Sequence, residues 1–284
     1  MDDLHFSIST ILGALTEGVL AVLLPIILII VWKVKTKAKL VPFWVGCLVF
    51  PVFALILEVA VTLLITFIDK KTLNLLSNQL VLYIFSAAMA GIFEETGRLV
   101  GMKTLMRKYK DRRDGVTYGI GHGGIESILL VGGAAATTLM MAFFTNFGML
   151  DIFTSTYSEE LKTTFLDNIR TMTESGFGTY ILGFCERISA IMLHISLSVI
   201  MFAGVRQKGK MWLYPLAIFI HFAADCTVIL PNVLGVPIWL FEIIFFFVSL
   251  VLAVMTARFY KSLPQVLGDE VQQQEAVVQS ENIQ

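Results

Sequence analysis

The sequence predicts an all-α membrane protein, a polytopic bundle of about seven transmembrane helices. Of its 284 residues, 56% are apolar and only 15% are charged, and the mean hydropathy is strongly positive. A chain of that composition prefers hydrocarbon over water as its solvent. The apolar residues also fall in continuous stretches rather than stripes, and a stretch of about 20 is enough to span a bilayer as a helix.

Seven such stretches occur in order: Ile8 to Trp32, Leu40 to Ile68, Leu80 to Met102, Val116 to Phe144, Phe177 to Val205, Trp212 to Leu230 and Val236 to Phe259. Lys33, Lys35, Lys37 and Lys39 follow the first, and Lys103, Arg107, Lys108, Lys110, Arg112 and Arg113 follow the third. Arg206, Lys208 and Lys210 follow the fifth, and Arg258 and Lys261 close the seventh. Only Lys70, Lys71, Lys162 and Arg170 lie in the alternate loops, so the positive-inside rule puts the N-terminus outside and the C-terminus inside.

Between the fourth and fifth spans, Leu161, Phe165, Leu166 and Ile169 recur at helical spacing, which predicts a surface helix. Residues 1–263 read as one membrane domain. Residues 264–284 carry Asp269, Glu270, Glu275, Glu281 and a glutamine run, the composition of a disordered cytoplasmic tail. The chain opens Met-Asp-Asp with no basic segment, so its first span reads as retained. A net charge of −1 without a basic stripe argues against nucleic acid as a partner. Cys47, Cys185 and Cys226 all fall within apolar stretches and do not suggest a disulfide framework.

Ionisable residues at bilayer depth are costly, roughly 2.5 to 3.5 kcal/mol each on insertion scales. Glu94, Glu95 and Arg98 nevertheless share the third span, His122 and Glu126 the fourth, His194 the fifth, and His221 and Asp225 the sixth. Counted inward from the cytoplasmic ends at about 1.5 Å per residue, the acids and imidazoles fall in one layer roughly 9 to 20 Å deep. Pairs four residues apart, Glu94 with Arg98, His122 with Glu126 and His221 with Asp225, share a helix face. Gly115, Gly119, Gly121, Gly123 and Gly124 surround His122 and permit close helix approach or leave room for a substrate. An isolated intramembrane histidine is usually a structural hydrogen-bonder, but three beside several carboxylates in one layer point to a functional site.

Glu17 and Glu242, near external span ends, read as snorkelling carboxylates. Glu58, Glu186 and Arg187 share a depth in the external half and read as a structural ion pair between the second and fifth spans.

Paired carboxylates with imidazoles suit water activation, one glutamate taking a proton from water while a histidine steadies the oxyanion. Like charges on adjacent Glu94 and Glu95 push one of them towards the protonated form. Zinc is the competing chemistry, with His122, His194 or His221 as ligands, although His122 and Glu126 form only a His-x3-Glu pair and no HExxH occurs.

The run Glu94-Glu95-Thr96-Gly97-Arg98, the glycine-rich Gly119-Ile120-Gly121-His122-Gly123-Gly124-Ile125-Glu126-Ser127, Arg187 with His194-Ile195-Ser196-Leu197-Ser198, and His221-Phe222-Ala223-Ala224-Asp225 together resemble the motif series of the CAAX-protease and bacteriocin-processing superfamily of intramembrane glutamic proteases. Within it the chain most resembles the YhfC branch, with PrsW-like proteases as near cousins. The resemblance covers the third to sixth spans, about half the chain. It implies hydrolysis of a peptide bond in a membrane-associated protein or peptide, without a cofactor. Glu94, Glu95, Glu126, His194, His221 and Asp225 match the catalytic motifs, with Arg98, His122 and Tyr118 supporting; which histidine donates to the oxyanion stays open. Arg98 stands one residue earlier than in the EExxxR pattern of prenyl-protein proteases, which turns it about 100° on a helix and argues against a prenylated substrate.

The implied location is a bacterial plasma membrane, with lipid and a membrane-associated peptide or protein as partners. A non-catalytic membrane scaffold or chaperone of the same superfamily is the alternative without chemistry. Ion-coupled transport is disfavoured, because the sequence shows no inverted repeat.

Overall fold

The computed structural model describes residues 4–68, 70–229 and 235–268. The described chain is helical throughout: α1 (Ile8–Thr36), α2 (Val41–Phe50), a π-helical segment (Pro51–Glu58), α3 (Val59–Ile68), α4 (Lys70–Leu76), α5 (Gln79–Lys103), α6 (Arg112–Glu126), a second π-helical segment (Ser127–Gly132), α7 (Gly133–Asn146), α8 (Asp151–Thr154), α9 (Glu159–Glu174), α10 (Phe177–Arg206), α11 (Leu213–Ile229) and α12 (Ile238–Ser262).

Among the described residues, six helices are long and apolar enough to cross a membrane: Ile8–Thr36, Val41–Phe67, Gln79–Lys103, Arg112–Asn146, Phe177–Arg206 and Ile238–Ser262. The sixth expected span corresponds to α11, whose apolar part Leu213–Thr227 is shorter than the rest; Leu230 lies outside the described residues. The chain is thus a multi-pass membrane protein.

Two compact units emerge, one of residues 1–24 and 127–187, the other of residues 25–126 and 188–284. In the first unit, α9 is the surface helix expected from the spacing of its apolar residues. Ser158 caps it by accepting from the Leu161 amide, Glu159 and Glu160 sit in the first turn, and Ile169 is buried with Phe6, Met141 and Ala142. Glu17 is buried rather than snorkelling, only 8% exposed. The reason is Gly183, whose missing side chain leaves the space that the Glu17 carboxylate fills.

In the second unit, α6 carries glycines on more than one face. Gly121 abuts the Phe43 carbonyl, and Gly46 abuts the Tyr118 carbonyl, so α2 and α6 meet backbone to backbone. Gly115, Gly119 and Gly123, spaced by four, face α10: a side-chain carbon at Gly119 would come within 2.6 Å of Ile195 Cα, and one at Gly123 within 3.0 Å of His194 Cβ. Across α5, Gly91 accommodates the α11 backbone and Gly97 accommodates Phe53 of the first π segment. These contacts hold α5, α6, α10 and α11 close enough for short polar side chains to meet.

Arginines tie off the basic ends of this unit. Arg206 donates to the carbonyls of Met102 in the last turn of α5 and of Met106 and Tyr109 beyond it, at 2.8, 2.6 and 2.9 Å. Arg112 donates to those of Tyr260, Lys261 and Leu263 at the end of α12. Past α12, Val266 pairs with Asp111 and Leu267 is buried, so residues 264–268 of the expected tail pack against the loop before α6. The remainder of the tail lies outside the described residues.

Candidate functional site

All nine site residues expected from the sequence belong to the second unit. Glu94, Glu95 and Arg98 come from α5, Tyr118, His122 and Glu126 from α6, His194 from α10, and His221 and Asp225 from α11. Eight of them are buried. Asp225 keeps a side chain 26% exposed.

The Glu94 carboxylate is the hub. Its Oε2 lies 3.0 Å from His122 Nε2, 4.0 Å from His194 Nδ1 and 3.9 Å from His221 Nε2. The imidazoles pack in series, with ring centroids 5.1 Å apart and tilted for His122 and His194, and 5.3 Å apart and edge to face for His194 and His221. Tyr118 and Phe50 pack on the His122 ring. Tyr118 places its hydroxyl 3.5 Å from His122 Nδ1, near the limit of a hydrogen bond.

The neighbouring Glu95 has a different job. Its Oε1 accepts from Arg98 and, at 2.9 Å, from His221 Nδ1. The adjacent carboxylates are therefore separated in role: Glu95 is engaged by a guanidinium and an imidazole, while Glu94 faces three ring nitrogens. Asp225 Oδ2 lies 3.7 Å from His221 Nε2, one helical turn along α11.

Hydrogen-bond donors fix the proton placement on His194. Arg98 NH2 lies 3.0 Å from His194 Nδ1 and can only donate, so Nδ1 accepts. The ring proton then sits on Nε2, which is 2.5 Å from Glu126 Oε2.

Glu94, His122 and His194 form a group whose ligand atoms lie within 4.8 Å of one another. One carboxylate and two imidazoles make the donor set of a catalytic zinc site that keeps a further position for water or substrate. The contact of His194 with Glu126 fits that use, since a ligating histidine commonly gives its second ring N–H to a carboxylate. The residues present thus fit a divalent metal. Among the expected zinc ligands, His122 and His194 belong to the group, whereas His221 turns its Nδ1 to Glu95 and Glu94 takes the third place.

Glu58 is a further acid of the second unit within reach of the site, and the charges acting on it there include Glu94, Asp225 and His221. Geometry explains this. Five residues on an α-helix would turn Glu58 about 140° from Phe53. In the π segment i→i+5 bonding brings them towards one face, and Phe53 packs on Gly97 of α5. Pro51 at the start of this segment was the sequence signal, because proline cannot supply the amide for an i→i−4 bond.

Fold and site together define a multi-pass membrane protein with a buried glutamate–histidine centre assembled from four helices. A family model described as YhfC intramembrane metalloprotease matches residues 20–245. Among curated proteins, the uncharacterized membrane protein YhfC of Bacillus subtilis (strain 168) is 34% identical over 197 residues, 69% of this chain and 76% of that protein. The chain belongs to the YhfC family. No solved structure matches it. The family is thereby described as one of membrane proteases. Its metalloprotease description and the three-donor group do not support the expectation of chemistry without a metal.

Proposed function

We propose that the chain is an intramembrane peptidase that hydrolyses a peptide bond in a membrane-associated protein or peptide, with Glu94 at the reacting centre. The observation that carries this is the convergence of three imidazole nitrogens within 4.0 Å of Glu94 Oε2. With the N-terminus outside and the C-terminus inside, the centre lies in the cytoplasmic half of the membrane.

Glu94, His122 and His194 would hold a divalent ion, zinc by donor type. Bound there, it supplies Lewis acidity towards a carbonyl and a more acidic water. The protein supplies the rest. Glu126 holds the His194 ring through Nε2, and Glu95 holds His221 through Nδ1. That leaves His221 Nε2 directed towards Glu94 and Asp225, where it can donate to a developing oxyanion or pass a proton to the departing amine. The burial of the centre excludes bulk water and strengthens each of these interactions.

A second reading is the glutamic type shared with PrsW-like relatives. Here Glu94 takes the proton from water directly and His221 and His194 serve the oxyanion. The contact of Arg98 with His194 Nδ1 favours it, because that lone pair is already engaged. Protein reconstituted in bilayers with a panel of transmembrane peptides tests both, with products read by mass spectrometry. Glu94→Gln should fold and lose about a hundredfold or more in rate. A fully active Glu94→Gln variant refutes the proposal. Loss of cleavage on chelation with recovery on added zinc selects the metal reading, and undiminished cleavage in metal-stripped protein selects the glutamic one.

A further inference from the structure

The three-donor group already has a cation at its edge, and the protein provides it. Arg98 NH2 lies 3.0 Å from His194 Nδ1, and that nitrogen lies 4.0 Å from Glu94 Oε2. Because Nε2 of the same ring faces Glu126, Nδ1 is the nitrogen that His194 has to offer an ion shared with Glu94. A guanidinium and a metal ion cannot use one lone pair together. Nor can the guanidinium step aside by losing a proton, since it stays charged at any working pH.

We propose that Arg98 is a built-in competitor for the metal, occupying the His194 Nδ1 lone pair so that an ion enters only as Arg98 turns away. The inference rests on the metal-holding reading above. Two observations show how the exchange is arranged. Arg98 keeps a second anchor on Glu95, so its charge stays compensated when the His194 contact opens. Its Nε, although fully buried, has no hydrogen-bond partner among the described residues, so no bond at that edge resists rotation.

In this role Arg98 sets metal affinity and exchange, acting through His194 as a positioning residue. Chelator-stripped protein in lipid nanodiscs, titrated with zinc against a chromophoric competitor, measures the affinity directly. Arg98→Gln should bind zinc tighter than wild type by about tenfold or more, the usual scale of effects one shell out from a metal. The double variant Glu95→Gln with Arg98→Met, which removes the buried pair without stranding a charge, should do the same. His194→Ala should abolish the site in every background. Thermal unfolding without zinc identifies which variants are folded. Zinc affinity equal to or weaker than wild type in the folded variants overturns the competition and leaves the metal reading intact. Absence of any His194-dependent zinc binding, in wild type and variants alike, overturns both.

Discussion

Glu126 Oε2 stands 2.5 Å from His194 Nε2, a contact between α6 and α10. The Nδ1 of the same ring accepts from Arg98, so the ring N–H lies on the edge beside Glu126 while the other nitrogen looks towards Glu94. Glu126→Gln preserves size but can offer its amide in place of the acceptor, letting the ring turn over. The expected result is a folded protein whose kcat falls about ten- to a hundredfold with KM little changed. Peptide cleavage kinetics in bilayers check this, and unchanged kcat removes Glu126 from the mechanism.

The glycines of α6 make a second, purely structural prediction. A methyl group at Gly121 would run into the Phe43 carbonyl, which is backbone and cannot swing aside. Gly121→Ala should therefore destabilise the second unit by about 2 kcal/mol or more. Gly133→Ala, with nothing within 4 Å of the added carbon, should be neutral or slightly stabilising. Thermal unfolding of the two variants side by side gives the comparison, and equal midpoints would mean that α2 and α6 do not meet this closely.

The site was more legible than its wiring. Depth counting placed Glu94, His122, His194 and His221 in one layer because helix rise is nearly constant, and three of the four helices carried a polar pair of their own. Which nitrogen meets which oxygen depends on rotation and on close approach. The packed glycines of α2, α5 and α6 set these, and spacing alone left Glu94 and Glu95 equivalent. The surface helix α9 was plain from Leu161, Phe165 and Ile169, whose period is local. Depth counting assumes α-helical turns throughout, and Pro51 opens a segment where the turn is wider, so spacing could not tell which way Glu58 faces.

Glu58 makes no hydrogen bond or ion pair with the described residues of its unit, so its effect on the site is through charge. Glu58→Gln removes an ionisable carboxyl whose charge acts on Glu94, Asp225 and His221. At an effective dielectric of about 20, charges across a few ångströms interact by a few kcal/mol and fade with distance, so a three- to tenfold change in kcat/KM is expected. Glu186→Gln, whose partner is Arg187, should leave the rate at saturating substrate unaltered. If both variants cleave at the wild-type rate, the π segment does not serve the site.

Acid stability offers a probe of the loop that precedes α6. Burial raises the Asp111 carboxyl, but hydrogen bonds from the Arg113 side chain and amide and from Gln265 outweigh it and hold the group below the ordinary carboxylate range. Since the folded state binds the proton less readily than the unfolded one, this contribution is complete above the unfolded pKa of about 4. It disappears as pH falls through the lower folded value. Asp111→Asn should accordingly melt below wild type at pH 7, by roughly 1–2 °C for a solvent-screened pair, and the gap should close near pH 3. Gln265→Ala should reproduce part of the difference, because its amide donates to Asp111 Oδ2 at 2.7 Å. Midpoints measured in nanodiscs at both pH values decide it: a gap that persists unchanged at pH 3 would assign the loss to packing rather than to the carboxylate.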